Sequence, residues 1–180
     1  TDDIGITHFQ NKLRRAEGII PLAWGCDGND TVGNEFDLWM SDRASSFSDW
    51  QTLYPVVAGE VARLNGVRRT IVKELAKAEW NPGYGIRCLM AGWVGGQSGI
   101  WQFDDVGQAT SYLAQGFYAI GSGKLYAAVS YETLKRIDDK PLKKLRVIMD
   151  IVTDHAPHCQ KPFMIWGITK TGITPIEAPI

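Results

Sequence analysis

Residues Tyr118 to Val129 read YAIGSGKLYAAV, and the parsing of the chain turns on this junction. The run from Gly116 to Ile120 carries Phe117, Tyr118 and Ile120, residue types that suit a pleated surface, so it reads as a strand. Gly121 to Gly123 then permit a tight turn, with Ser122 placed to cap a helix. Leu125 to Ile137 reads as that helix, amphipathic, with Leu125, Val129 and Leu134 turned inward.

Downstream, Asp138-Asp139-Lys140-Pro141 joins that helix to another over Leu142 to Thr153, with Leu142, Leu145, Met149 and Val152 inward. The tail PFMIWGITKTGITPIEAP predicts a strand, a Lys-Thr-Gly turn and a final strand. Upstream, Ile86 to Val94 and Gly99 to Phe103 flank GGQSG and read as a hairpin.

The amino-terminal half repeats the alternation. Ile4 to Phe9 and Gly18 to Trp24 read as two strands, and CDGNDTVGNEFD, crowded with Asp, Asn and Gly, as the loop after them. From Ser48, the apolar residues Trp50, Leu53, Tyr54, Val57, Val61 and Leu64 recur at helical spacing, capped by Ser48 or Asp49, with Pro55 expected to kink the helix or to move its start nearer to that residue. Asn65-Gly66 is expected to separate this helix from a second over Arg68 to Trp80, which buries Ile71, Leu75 and Ala78. The order is strands, two helices, strands, two helices, strands, with neither repeat nor dividing linker, so one α+β domain over residues 1–180 is predicted.

Composition limits the function classes. The chain has 180 residues, 44% hydrophobic and 22% charged, which suits a folded chain with a real core. Nineteen basic against twenty acidic side chains leave a net charge of −1, so no global field favours nucleic acid or an anionic membrane. No apolar run reaches the roughly 18 to 20 residues that span a bilayer, and TDDIGITHF does not read as a signal peptide. Cys26, Cys88 and Cys159 show no CxxC spacing or disulfide framework, which predicts a reducing, cytoplasmic setting.

Several of these stretches resemble the proteasome β-subunit and HslV family of N-terminal nucleophile hydrolases. YAIGSGKLYAAV resembles the family's apolar strand running through Gly-Ser-Gly into a helix that begins with Tyr-Ala. SSFSDWQTL, Ser45 to Leu53, is similar to the lead-in to its first helix, and TIVKELAKAEW to its second. LAWGCDGNDTVGN, Leu22 to Asn34, is similar to a strand that ends in Asp before a Thr and Gly turn. The resemblance implies a four-layer αββα sandwich, an N-terminal-nucleophile fold, and hydrolysis of peptide or unfolded-protein substrates without cofactor or metal. It also implies a homo-oligomer, as a ring or stacked rings, and leaves a regulatory ATPase partner open.

Carried over residue by residue, the resemblance makes Thr1 the nucleophile, its free amine the base, and Asp27 the carboxylate beneath it. Ser122 and Gly123 would line the oxyanion site, and Asp154 matches the acidic residue after the last helix. A terminal amine, with an ordinary pKa of roughly 7.7 to 8.0, suits the proton transfer that a Thr hydroxyl needs. The family's catalytic Lys has no counterpart, because no Lys lies between Lys12 and Lys73, and Arg43 is the cation expected in its place. The alternative reading is a catalytically inactive structural protein of the same fold. His155, His158 and Cys159 in HAPHC lack the second ligand cluster that a zinc site needs, so they read as a loop. Trp39, Trp93 and Trp101 are candidates for subunit contacts.

Overall fold

The structure is a computed structural model and describes residues 13–16, 20–77, 79, 84–156, 159, 163 and 165–177. The expected strand Ile4 to Phe9 and Thr1 lie outside the described residues. The chain divides into two compact units. One comprises Lys12–Gly116 with Gly167–Thr174, and the other Thr1–Asn11, Phe117–Trp166 and Pro175–Ile180.

The larger unit is built on an antiparallel sheet in the order β1 (Leu13–Arg15), β2 (Leu22–Gly28), β3 (Ile86–Val94), β4 (Gln97–Phe103) and β5 (Ala109–Ser111). β3 alternates strictly: Ile86, Cys88, Met90 and Val94 are buried while Arg87, Leu89, Ala91 and Trp93 are half-buried. That period of two fixes which face meets the helices. The β3–β4 hairpin closes on Gly95 and Gly96, both at positive φ (61° and 77°), the combination a two-residue turn with right-handed strand twist demands.

Between β2 and β3 run α1 (Asp30–Arg43), a short 3-10 turn over Ala44–Ser46, and α2 (Trp50–Ala76). The loop expected over CDGNDTVGNEFD is therefore mostly a strand end and a helix. Asn29 caps α1 by accepting the Val32 N–H at 3.2 Å, and Val32, Phe36 and Met40, four residues apart, are buried on one face. Asp49 caps α2, accepting the Thr52 N–H at 2.7 Å.

α2 also corrects the expected helical pair, since it runs unbroken through Asn65-Gly66. Asn65 is buried, and its side chain bonds backbone outside the helix instead of turning its own. The helix ends at Lys77, which takes a left-handed conformation (φ 48°). Trp50, Leu53, Val57, Val61 and Leu64 pack from α2 onto Trp24, Met90, Val94 and Phe103, each burial contributing about 1.5 to 3 kcal/mol. Ile71 and Leu75, expected inward, are exposed.

In the smaller unit α3 (Lys124–Leu134) packs on α4 (Pro141–His155). The described sheets do not include residues 117–120, which were expected as a strand. Leu125 and Val129 are exposed, and Ala127 and Ser130 face inward in their place. The cause is close helix approach: a Cβ added at Gly123 would lie 2.6 Å from Val152 Cγ1, so the facing positions must be small. Of the expected α4 stripe, Val152 is buried together with Ile148, while Leu142, Leu145 and Met149 are half-buried.

β6 (Ile165–Thr169) and β7 (Gly172–Glu177) pair in a separate two-stranded sheet, with the expected turn at Lys170-Thr171. The molecule is α+β with antiparallel sheets and, among the described residues, four α-helices. Among the described residues no helix is long and apolar enough to cross a membrane.

Candidate functional site

Asp27 stands near the end of β2, directly opposite Arg87 of β3. Arg87 donates to both carboxylate oxygens, from Nε at 3.1 Å and from an Nη at 2.5 Å, a bidentate pairing that fixes both side chains. The next residue, Gly28, has φ 107°, and a Cβ there would sit 2.1 Å from the Gly85 carbonyl oxygen. Glycine is thus required for the chain to leave the strand and enter α1, and this turn sets the position of Asp27.

Behind the pair, the Asn65 amide of α2 holds the head of β3. Its Nδ2 donates to the carbonyls of Ile86 at 2.9 Å and Asp105 at 3.0 Å, and its Oδ1 accepts the Ile86 N–H at 2.8 Å. One buried side chain thereby satisfies three backbone groups and rigidifies the strand that carries Arg87.

Arg43 is not in this constellation. α1 runs back along β2: Gly33 lies over Cys26, and Asp37 accepts from Trp24 Nε1 at 3.0 Å. Arg43 is thirteen residues beyond Asp30, roughly 20 Å along the helix, and its guanidinium rests 5.3 Å from the Trp39 ring centroid. Asp27 and Arg43 therefore do not share one site. The cation that meets Asp27 is Arg87, which the sequence reading missed because the pairing forms across the 60 residues between them.

In the smaller unit, Gly123 rather than Ser122 occupies the cap position of α3. The amino end of α3 meets the carboxyl end of α4 there, with Val152, Ala156 and Cys159 around Gly123. Ser122 Oγ lies 3.4 Å from Cys159 Sγ. Asp154 is exposed within the last turn of α4, not after it, and His155 stacks on Tyr126 with ring centroids 6.1 Å apart. Ser122 and Gly123 thus meet the α4 face that carries Val152 and Ala156, whereas Asp154, two residues from each, is exposed on another face of the helix. Of the tryptophans considered for subunit contacts, Trp101 is stacked inside its unit on Tyr54 at 4.8 Å, and Trp93 lies under Lys170.

No family model matches the chain, and no curated protein matches it in sequence. The similarity lies in the fold, which is proteasome-like. One solved structure that carries it is an Anbu mutant from Hyphomicrobium sp. strain MC1, with a TM-score of 0.70 and 15% identity over 93% of this chain and 74% of that one. Another is Anbu (ancestral beta-subunit) from Yersinia bercovieri, with a TM-score of 0.64 and 14% identity over 94% and 72%. The resemblance drawn from the sequence is corrected accordingly: the fold relatives are Anbu proteins, a proteasome-like but distinct family, and not HslV.

Proposed function

We propose that this chain is an amide hydrolase of the proteasome-like fold that cleaves peptide or unfolded-protein substrates with an N-terminal Thr1. The observation that carries this reading is the fold itself, matched to Anbu over 93% of the chain at a TM-score of 0.70. Thr1 supplies the hydroxyl, and its α-amine is the base that removes the hydroxyl proton. Ser122 and Gly123, at the amino end of α3, are suited to stabilise the developing oxyanion, because backbone N–H groups there are not used by the helix. Asp154 is the acidic residue that this reading assigns. In it the chain is a single domain with a four-layer αββα arrangement, and it works as a homo-oligomeric ring or stacked rings.

The test is turnover of internally quenched peptides by protein purified with Thr1 as its first residue, before and after acylation of the α-amine. Turnover that acylation abolishes supports the reading. Light scattering should show an assembly, and a stable 20.0 kDa monomer contradicts the ring.

One observation favours a second reading, a catalytically silent structural subunit. Asp27 is bound on both oxygens by Arg87, a group that stays protonated and cannot shuttle a proton, and no Lys lies between Lys12 and Lys73. Absence of turnover across a broad peptide library, with assembly intact, selects it.

A further inference from the structure

Cys26 of β2 stands directly opposite Cys88 of β3, one residue before Asp27 and one after Arg87. Both thiols are free. They occupy the face of the sheet beneath α1: Cys88 is fully buried, while Cys26 is half-buried and packs against the same core. Directly opposed residues of an antiparallel pair have Cα atoms about 4.5 to 5.5 Å apart, inside the range of roughly 4.4 to 6.8 Å that a disulfide spans. The two Sγ atoms already approach to 2.6 Å. Closing a bond between them requires no change of register. Cys159, the remaining cysteine, lies instead beside Ser122.

We propose that Cys26 and Cys88 form a paired-thiol site that reacts with low-molecular-weight disulfides of the glutathione type and closes to a disulfide across β2 and β3. The half-buried Cys26 reacts first. Its thiolate attacks one sulfur of the small disulfide, forming a mixed disulfide at Cys26 and releasing one small thiolate, which takes up a proton. Cys88 then loses its proton, and its sulfur attacks the Cys26 sulfur and releases the second small thiol. Two protein thiols are oxidised by two electrons, and one small disulfide is reduced to two thiols. Burial pushes the Cys88 thiol well above its ordinary value and keeps it protonated, which leaves the first attack to Cys26; the second step is carried by proximity, since the strands hold Cys88 against the Cys26 sulfur. The product ties together residues 62 positions apart at the point where Asp27 meets Arg87. This inference goes beyond the hydrolase reading and stands without it.

The experiment treats the reduced full chain with oxidised glutathione and maps its peptides by mass spectrometry without reduction. The expected result is a Cys26 peptide joined to a Cys88 peptide, with the intact mass lower by two hydrogen atoms. Cys88→Ser should trap glutathione on Cys26, and Cys26→Ser should leave Cys88 unmodified. A glutathione adduct that persists on Cys26 of the wild type, a link from either cysteine to Cys159, or an unreacted Cys26 overturns the proposal. Should Cys88→Ser fail to fold, the wild-type map alone decides between these results.

Discussion

Asn65 and Ile86 exchange two hydrogen bonds, Nδ2 to the Ile86 carbonyl at 2.9 Å and the Ile86 N–H to Oδ1 at 2.8 Å, and so bolt the middle of α2 to the head of β3. Both residues are buried. Asn65→Leu removes these bonds and the one to Asp105, stranding backbone groups away from water. The expected loss is about 3 kcal/mol or more, read as a lower urea midpoint. A loss under about 0.5 kcal/mol contradicts this role.

Arg87→Ala leaves the Asp27 carboxylate without its bidentate partner on a largely buried side chain, and the expected cost is about 1 to 2 kcal/mol. Arg87→Lys recovers part of that, because an ammonium offers point donors in place of the planar fork. A double-mutant cycle with Asp27→Asn should give a coupling above about 0.5 kcal/mol. Additive effects would show that the pair contributes nothing.

Gly99 faces the Trp50 indole, and a Cβ there would fall 2.4 Å from a ring carbon. The ring cannot swing aside freely, since its Nε1 donates to the Gln97 carbonyl at 2.9 Å and it stacks near Trp101. Gly99→Ala should therefore destabilise by about 1 to 3 kcal/mol, with a changed tryptophan fluorescence spectrum. Wild-type stability with an unaltered spectrum contradicts the packing.

Burial raises the Asp37 carboxyl above its ordinary value of 3.8, against the opposing Trp24 N–H and the Arg14 guanidinium. The folded chain then binds this proton more tightly than the unfolded chain does. Stability from this group is complete below pH 3.8 and falls as pH rises through the folded value. Asp37→Asn keeps an acceptor for Trp24 and should flatten that fall in unfolding free energy against pH. Parallel curves for the two proteins would contradict the assignment.

The β3–β4 hairpin is legible in the sequence because alternation and Gly95-Gly96 are local signals. α1 is not, although Val32, Phe36 and Met40 carry its period, because the Asp, Asn and Gly around them weigh toward a loop when the strand below is unseen. The break expected at Asn65-Gly66 fails for a tertiary reason, the bonds from Asn65 to β3. Hydrophobicity alone points Leu125 and Val129 inward, whereas the close α3–α4 contact selects small residues. Of the candidate residues, Ser122 and Gly123 are adjacent in the motif and stand at the amino end of α3, while Asp154 lies exposed on α4, away from the Val152 and Ala156 face that meets Gly123. Arg43 is near Asp27 only in sequence, and the length of α1 carries it away.

The most direct test of the hydrolase reading is kcat/KM for a cleaved peptide, compared between the wild type and Thr1→Ala, each purified with position 1 as its first residue and each checked for folding and assembly. The account predicts turnover by the wild type and loss to background in Thr1→Ala, since the substitution deletes the attacking hydroxyl and little else. Equal kcat/KM in the two proteins would contradict it.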